Sequence, residues 1–307
     1  MNGIVVASDF VLPHPTDKSR FVNWCNGAFQ YDGRSCRVLA YDVSPSGWTD
    51  ELTKLHEETG GSNHFIDVAS RRHACAEVQR CISHPGSTVL EIGCSSGFLL
   101  RHLVRLLSGH RIVGADYTRE TLELLGRQLP DVPLIQFDLT RCPLPADFAD
   151  VVVLLNVLEH IKDHEAALMQ LFRIVRPGGA VIIEVPAGPL LFDVYDRVLM
   201  HFRRYSMGEL TMIIEKQGFT IERRSHLGAF LYPAFFLAKK CNQLRFPGDS
   251  PVDEQSLVAG MIKATRRTSV LMSVVMQCED MLRPYVNYPF GVRCLVTCRK
   301  PDRRHNR

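Results

Sequence analysis

Between residues 88 and 185 the chain alternates short apolar runs with amphipathic helical stretches, and no other feature constrains the fold as tightly. Residues 88–92, 111–115, 132–137, 151–155 and 180–185 read as strands. Residues 98–107, 119–129 and 163–175 read as the helices between them, the last stopped by Pro177-Gly178-Gly179. The run 151–155 is valine-rich with no polar position, which suits a strand covered on both faces. Strands separated by helices cannot pair as hairpins. They imply a parallel sheet with right-handed crossovers and helices on both sides.

The flanks read differently. Residues 1–84 carry breakers at Pro13, Pro15, Gly33, Pro45, Gly47, Gly60 and Gly61, with one strand-like stretch at 36–43 and a helix at 67–82. They are expected to form an N-terminal cover of largely irregular structure. After residue 186 the pattern predicts helices at 190–200 and 207–217, a sixth strand at 219–224, helices at 230–244 and 253–283 around a Pro/Gly/Asp break at 247–251, and a last strand at 292–298. The division is thus a cover at 1–84, one α/β domain at 85–300 with a helical insertion at 227–290, and a basic tail at 301–307.

Charge narrows the partners. The formal net charge of the 307 residues is +3, and the last nine residues alone hold +4, which leaves the body at −1. A near-neutral body without a basic, aromatic stripe argues against a nucleic-acid partner. The longest apolar run, 227–238, is too short for a transmembrane segment. Ten scattered cysteines without a Cys-x-x-Cys pair, and no basic, apolar leader at the N-terminus, fit a reduced cytoplasmic protein.

The chemistry concentrates at the carboxyl ends of the predicted strands. The first strand runs through Glu91 into Gly93-Cys94-Ser95-Ser96-Gly97 and straight into a helix, a tight loop whose N–H groups can receive an anionic ligand group. Asp116 ends the second strand, at the distance where an acid can hold ribose hydroxyls, and Asp138 ends the third. Together with Leu154-Leu-Asn156-Val-Leu158-Glu159-His160-Ile161 and Arg176-Pro-Gly-Gly179, these residues resemble class I S-adenosylmethionine-dependent methyltransferases, strongly over about 85–225 and more weakly at 289–300. Ser95 replaces a frequent glycine of the loop.

The resemblance implies a Rossmann-like seven-stranded sheet of order 3-2-1-4-5-7-6 with an antiparallel last strand. It implies S-adenosylmethionine as cofactor, released as S-adenosylhomocysteine. Glu91 would order the loop, and Gly93, Cys94, Ser95 and Gly97 would contact the methionine part. Asp116 would hold the ribose, and Asp138 the adenine amino group, with Tyr117 and Leu139 flanking the ring. Asn156 would lie near the cofactor's amino group.

Two constellations qualify for the acceptor side. Glu159-His160 with His164 follows the fourth strand, and His160 is a candidate base or orienting group. The spacing of His160 and His164 would suit a metal pair on a helix. Some quinone-biosynthesis methyltransferases complete such a site with an acid three residues before the Glu-His. Here that position is Asn156, so no metal is expected. The second constellation is His201-Phe-Arg203-Arg204-Tyr205-Ser206, which resembles one branch of these enzymes acting in cell-surface or natural-product biosynthesis. His201 and Tyr205 are catalytic candidates, and Arg204 is a candidate partner for an acceptor carboxylate or phosphate. Ser206 with Glu209 also reads as a capping box. Tyr195, Phe230 and Tyr232 are candidate acceptor contacts. The aromatic run 229–237 suits a lid over a hydrophobic acceptor, ordinary packing or a homodimer contact. Met272, Met276 and Met281 suit core or a pliable wall. The expected function is methyl transfer to a small hydrophobic or aromatic biosynthetic intermediate. The alternatives are a peripheral membrane enzyme acting on a lipid or polyprenyl acceptor, an RNA methyltransferase, and a cofactor-binding fold with other chemistry.

Overall fold

The computed structural model describes residues 10–43, 64–246, 270–283 and 285–302. The expected break at 247–251, the helical reading of 253–269 and most of the basic tail lie outside the described residues.

The central sheet grows from the alternation. Its strands are β5 (Val38–Ala40), β6 (Thr88–Ile92), β7 (Arg111–Asp116), β8 (Leu134–Gln136), β9 (Ala149–Leu155), β10 (Val175–Pro186), β11 (Thr220–Leu227) and β12 (Arg293–Arg299). They lie in the order β11-β12-β10-β9-β6-β7-β8-β5. Six consecutive members, from β10 to β5, are parallel, and β12 inserts antiparallel between β10 and β11. Seven strands therefore follow the order expected from the resemblance. The eighth, β5, comes from the N-terminal segment and pairs with β8 at the edge.

Alternate residues of each strand feed opposite faces, as the period of two requires. Val89, Ile112, Val151, Val153 and Ile182 pack with α1 (Phe65–Cys81), α2 (Phe98–Leu106) and α3 (Arg119–Gln128). Leu90, Val113, Val152, Leu154 and Ile183 pack with α4 (His164–Ile174) and α6 (Met207–Lys216). Every residue of β6 is buried, so the continuous apolar runs reflect a two-sided cover.

The N-terminal segment corrects the expectation of irregular structure. β1 (Phe10–Pro13), β2 (Phe21–Cys25), β3 (Ala28–Tyr31) and β4 (Arg34–Cys36) form a four-stranded antiparallel sheet. Its two tight turns are Asn26-Gly27 and Asp32-Gly33, all four residues at positive φ, the backbone that primed hairpin turns need. Trp24 and Phe29 meet at 4.7 Å between ring centroids and join the core on the α4 side.

A second correction concerns 190–200. Only α5 (Val194–Val198) forms there, after a 3₁₀ turn at Pro189–Leu191. Asp193 and Asp196 close a capping box at its start, and Met200 at φ +54° ends the helical path. The insertion before the last strand contains α7 (Tyr232–Arg245) and a helix at 270–282.

Packing disfavours the charged form of two histidines. Burial lowers the pKa of His73, with Arg283 adding to the effect and Glu77 opposing it. Burial likewise lowers that of His226, whose Nδ1–H donates to Tyr288 O at 2.9 Å. A histidine with a depressed folded-state pKa takes its proton first in the unfolded chain. Its stabilising contribution is therefore complete above about pH 6.5 and is lost as pH falls, at up to about 1.4 kcal/mol per pH unit and site. The melting temperature should fall between pH 7 and pH 5, and fall less in a His73→Gln/His226→Gln double variant. An unchanged slope in that variant would rule out these two groups.

Candidate active site

Parallel strands deliver their carboxyl ends to one edge, and the sequence-predicted cofactor residues meet there. β6 ends in the loop 93–97. Gly93 and Gly97 sit at φ +78° and +73°, and a Cβ on either would come within 2.5 Å of Val157 or Leu125. Both the backbone path and the tight packing therefore require glycine. Gly93 N and Cys94 N donate to Ala115 O of β7, at 2.8 and 3.0 Å. Gly97 opens α2 without a side-chain cap, leaving the helix N-terminus to a ligand.

Asp116 holds the loop from the neighbouring strand. Its Oδ2 accepts from Ser95 N at 2.8 Å, and its Oδ1 from Thr118 N and Oγ1, both at 2.9 Å. Burial raises its pKa, and the backbone donors, Thr118 first, oppose that. Asp138 is bonded by Thr140 N and Oγ1 at 2.9 and 2.7 Å and caps the 3₁₀ turn Leu139–Arg141, with Leu139 buried. Tyr117 lies between them along the edge, its carbonyl accepting from Gln136 Nε2. Glu91 is buried beneath the loop with Oε2 lacking a hydrogen-bond partner. Burial, with the Asp116 charge adding to it, raises its carboxyl pKa well above the ordinary range. The same two causes, in the same order, raise that of the Cys94 thiol.

Asn156 ends β9 at φ +53°, its N–H donating to Glu184 O at 2.9 Å. The Glu184 carboxylate, on β10, accepts from Arg293 at 2.7 Å and Ser70 at 2.6 Å, and Arg293 also reaches Asp67 at 2.5 Å. This buried chain of charges joins α1, β10 and β12 behind Asn156.

Of the acceptor-side candidates, Glu159, His160, His201 and Tyr205, with His164, assemble into one wall. Glu159 and His160 lie on a 3₁₀ turn, Leu158–His160, and α4 starts only at His164. His160 and His164 are therefore not neighbours on one helix. His164 instead lies 2.9 Å from the Tyr205 hydroxyl, while His160 meets the His201 ring edge-on at 4.7 Å. Phe202 N donates to Glu159 O at 2.8 Å and fixes the two segments together. Glu159 is wholly buried, and burial pushes its pKa up to about 8.

Behind this wall is a polar cluster whose extent the sequence did not reveal. His201 Nδ1–H donates to Asp196 at 2.9 Å, Arg204 Nε donates to the same carboxylate at 2.8 Å, and Lys239 Nζ of α7 reaches Asp193 and Asp196 at 2.7 and 2.8 Å. Burial acts to raise the pKa of Asp196, but His201, Arg204 and Lys239 outweigh it and hold it far below the usual carboxylate range. Arg204 is buried, with one terminal nitrogen on Ala187 O. Its guanidinium is thus committed to the fold, against the expectation that it pairs with an acceptor anion. Tyr205 is also buried, its hydroxyl donating to Leu158 O at 3.2 Å, which places it behind the histidines as a support. Tyr195 is half-buried on α5. Phe230 and Tyr232 make their ring contacts with Tyr288, Phe236 and Phe290, within the insertion itself. The one sequence signal for Lys239 is its place at the end of an apolar run, where a buried cation demands a buried acid.

Comparison with known proteins bears on this edge. A family profile described as a methyltransferase domain matches residues 64–223, over half of the chain. The chain belongs to the class I S-adenosylmethionine-dependent methyltransferases. A protein of Mycolicibacterium smegmatis described as a probable S-adenosylmethionine-dependent methyltransferase is 32% identical over 165 residues, covering 52% of this chain and 62% of its own length. Trans-aconitate 2-methyltransferase of an Azoarcus species is 35% identical over 130 residues, covering 42% and 51%. The matches thus span between half and two thirds of these relatives. Phosphoethanolamine N-methyltransferase 2 of Haemonchus contortus, solved with S-adenosyl-L-methionine, shares the fold with a TM-score of 0.53 at 17% identity, over 83% of this chain and 58% of that one.

The residues of this chain suit the family's cofactor. The uncapped first turn of α2 offers N–H groups, Asp116 and Asp138 offer acceptors, and the unpartnered Glu91 oxygen suits an ammonium or a bridging water. The support behind Asn156 gives a direct test. Arg293→Ala leaves the buried Glu184 without its main counter-charge and should cost about 3–5 kcal/mol in chemical denaturation. A loss below 1 kcal/mol would show that water replaces the arginine.

Proposed function

We propose that this chain binds S-adenosylmethionine along the carboxyl edge of β6, β7, β8 and β9. We further propose that it directs methyl transfer to a small hydrophobic or aromatic biosynthetic intermediate in the cytoplasm. The observation that carries the reading is the convergence of the glycine loop, Asp116, Asp138 and Asn156 on one edge, above an unpartnered buried Glu91 oxygen. The bound cofactor supplies a methyl group already activated on a sulfonium.

The protein's part is then largely placement. Gly93 and Gly97 let the backbone approach the methionine part closely, with Cys94 and Ser95 lining the loop. Asp116 orients the ribose, and Asp138 the adenine amino group, with Tyr117 and Leu139 beside the ring. Asn156 lies near the cofactor's amino group. His160 takes up a proton from an acceptor that must lose one, and His201, held by Asp196, orients that acceptor. Tyr205 positions both segments. Holding acceptor and methyl in line and excluding water provide most of the rate gain. Tyr195, Phe230 and Tyr232 supply apolar contacts to the acceptor. The ten free cysteines support a reducing compartment.

A second reading, a peripheral enzyme on a lipid acceptor, is supported by exposed Phe236, Leu237 and Leu244 on α7 and by Val270, Leu271 and Met281 on the helix at 270–282. No described helix is long and apolar enough to cross a membrane. Co-sedimentation with anionic vesicles, lost when Phe236 and Leu237 become serine, would favour this second reading.

Calorimetric titration with S-adenosylhomocysteine tests the cofactor assignment. Asp116→Ala should weaken binding tenfold or more, as expected for loss of a charged hydrogen-bond partner. Unchanged affinity would remove Asp116 from the ribose site. Once an acceptor is found by release of S-adenosylhomocysteine, His160→Ala should lower turnover tenfold or more with cofactor affinity within twofold of the parent. Unchanged turnover would move the acceptor away from the histidine wall.

A further inference from the structure

The acceptor-side wall contains an unusual carboxylate. Glu159 has no exposed surface, and neither of its side-chain oxygens has a hydrogen-bond partner. Burying both oxygens of one carboxyl group unsatisfied costs several kcal/mol, so such a group points to a missing counterpart. Two imidazoles flank it. His160 follows it in the chain, and His201 is brought in by the bond from Phe202 N to Glu159 O. One ligand atom from each of the three residues lies within 4.8 Å of the others.

We propose that Glu159, His160 and His201 form a binding site for a divalent transition-metal ion of the zinc class. Tetrahedral ligands each about 2.1 Å from one ion lie about 3.4 Å apart, so side-chain adjustments of up to about 1.4 Å bring the three atoms around an ion. Two imidazoles and one carboxylate favour zinc, cobalt, nickel or ferrous iron over magnesium or calcium, which prefer all-oxygen shells.

The surroundings are those of a metal site. The Nδ1–H of His201 is held by Asp196 at 2.9 Å, which leaves Nε2 for the ion and fixes the ring, as a carboxylate does behind many ligating histidines. Asp196 is in turn held by Arg204 and Lys239. Three protein ligands leave a coordination position for water or an oxygen of the acceptor. With an ion seated, His160 and His201 would act as its ligands, so that the proton-accepting and orienting roles proposed above would pass to that position. His164 is not part of the set, because it faces Tyr205. The sequence reading expected no metal because position 156 is Asn. The third ligand comes instead from a segment more than one strand further along the chain.

The test uses the full-length, untagged protein, stripped with a chelator and reloaded with Zn2+ or Co2+. It needs no methyl donor, so its outcome is separate from that of the methyl-transfer reading. The expected result is one ion per chain, a visible Co2+ ligand-field band, and affinity at least tenfold weaker in Glu159→Gln and His201→Ala. Circular dichroism melts check that the variants fold. If they do not, X-ray absorption at the zinc edge of the parent decides. A shell of nitrogen and oxygen with imidazole scattering supports the site, and sulfur in the shell overturns it. Absence of stoichiometric metal in the parent, or unchanged affinity in the folded variants, also overturns it.

Discussion

A parallel strand can be followed by another only if the chain travels back along the outside of the sheet. Every strand therefore starts at one edge and ends at the other. In this protein six strands obey that rule, and their carboxyl ends collect the side chains and the free N–H groups that a ligand can use. The return helices bury both faces, so β9 carries no polar residue between Val151 and Leu155. Polar groups are pushed to the ends of the strands, which is where chemistry needs them.

Buried charge then ties the edge to the rest of the molecule. Glu184 and Arg293 link β10, β12 and α1 behind Asn156. Asp193, Asp196 and Lys239 link α5 and α7 behind His201. Replacing such clusters with apolar residues would often cost little stability. What they supply here is position. The rings of His160 and His201 meet because their segments are joined by one backbone bond and backed by one carboxylate.

The sequence made some of this legible and not the rest. The β6–α2 loop and the acids ending β7 and β8 are local, so composition and spacing reveal them. The N-terminal hairpins were also signalled, by Asn26-Gly27 and Asp32-Gly33, but the surrounding prolines and glycines read as the breakers of a largely irregular cover. The helix expected at 190–200 is short because a capping box starts it only at Asp193 and Met200 leaves the helical path. Arg204 looked available to an anion because its partner Asp196, itself paired with Lys239 far along the chain, does not show in the local pattern. The i, i+4 spacing of His160 and His164 was misleading because the turn between them is not α-helical. Local pattern carries elements, whereas contacts between distant segments decide which polar groups are free.

The edge pairing of β5 with β8, and the insertion of β12 between β10 and β11, bear on the order in which the molecule can assemble. A ribosome releases β5 first among the strands of the central sheet and β12 last. The first-made strand must wait for β8, and β11 has no neighbour in the sheet until β12 arrives. The sheet therefore cannot close from one end as synthesis proceeds. Pairings of such long sequence separation slow folding and leave unpaired edges exposed while they wait. The hairpins of β1 to β4 escape this delay, since their partners are adjacent in the chain.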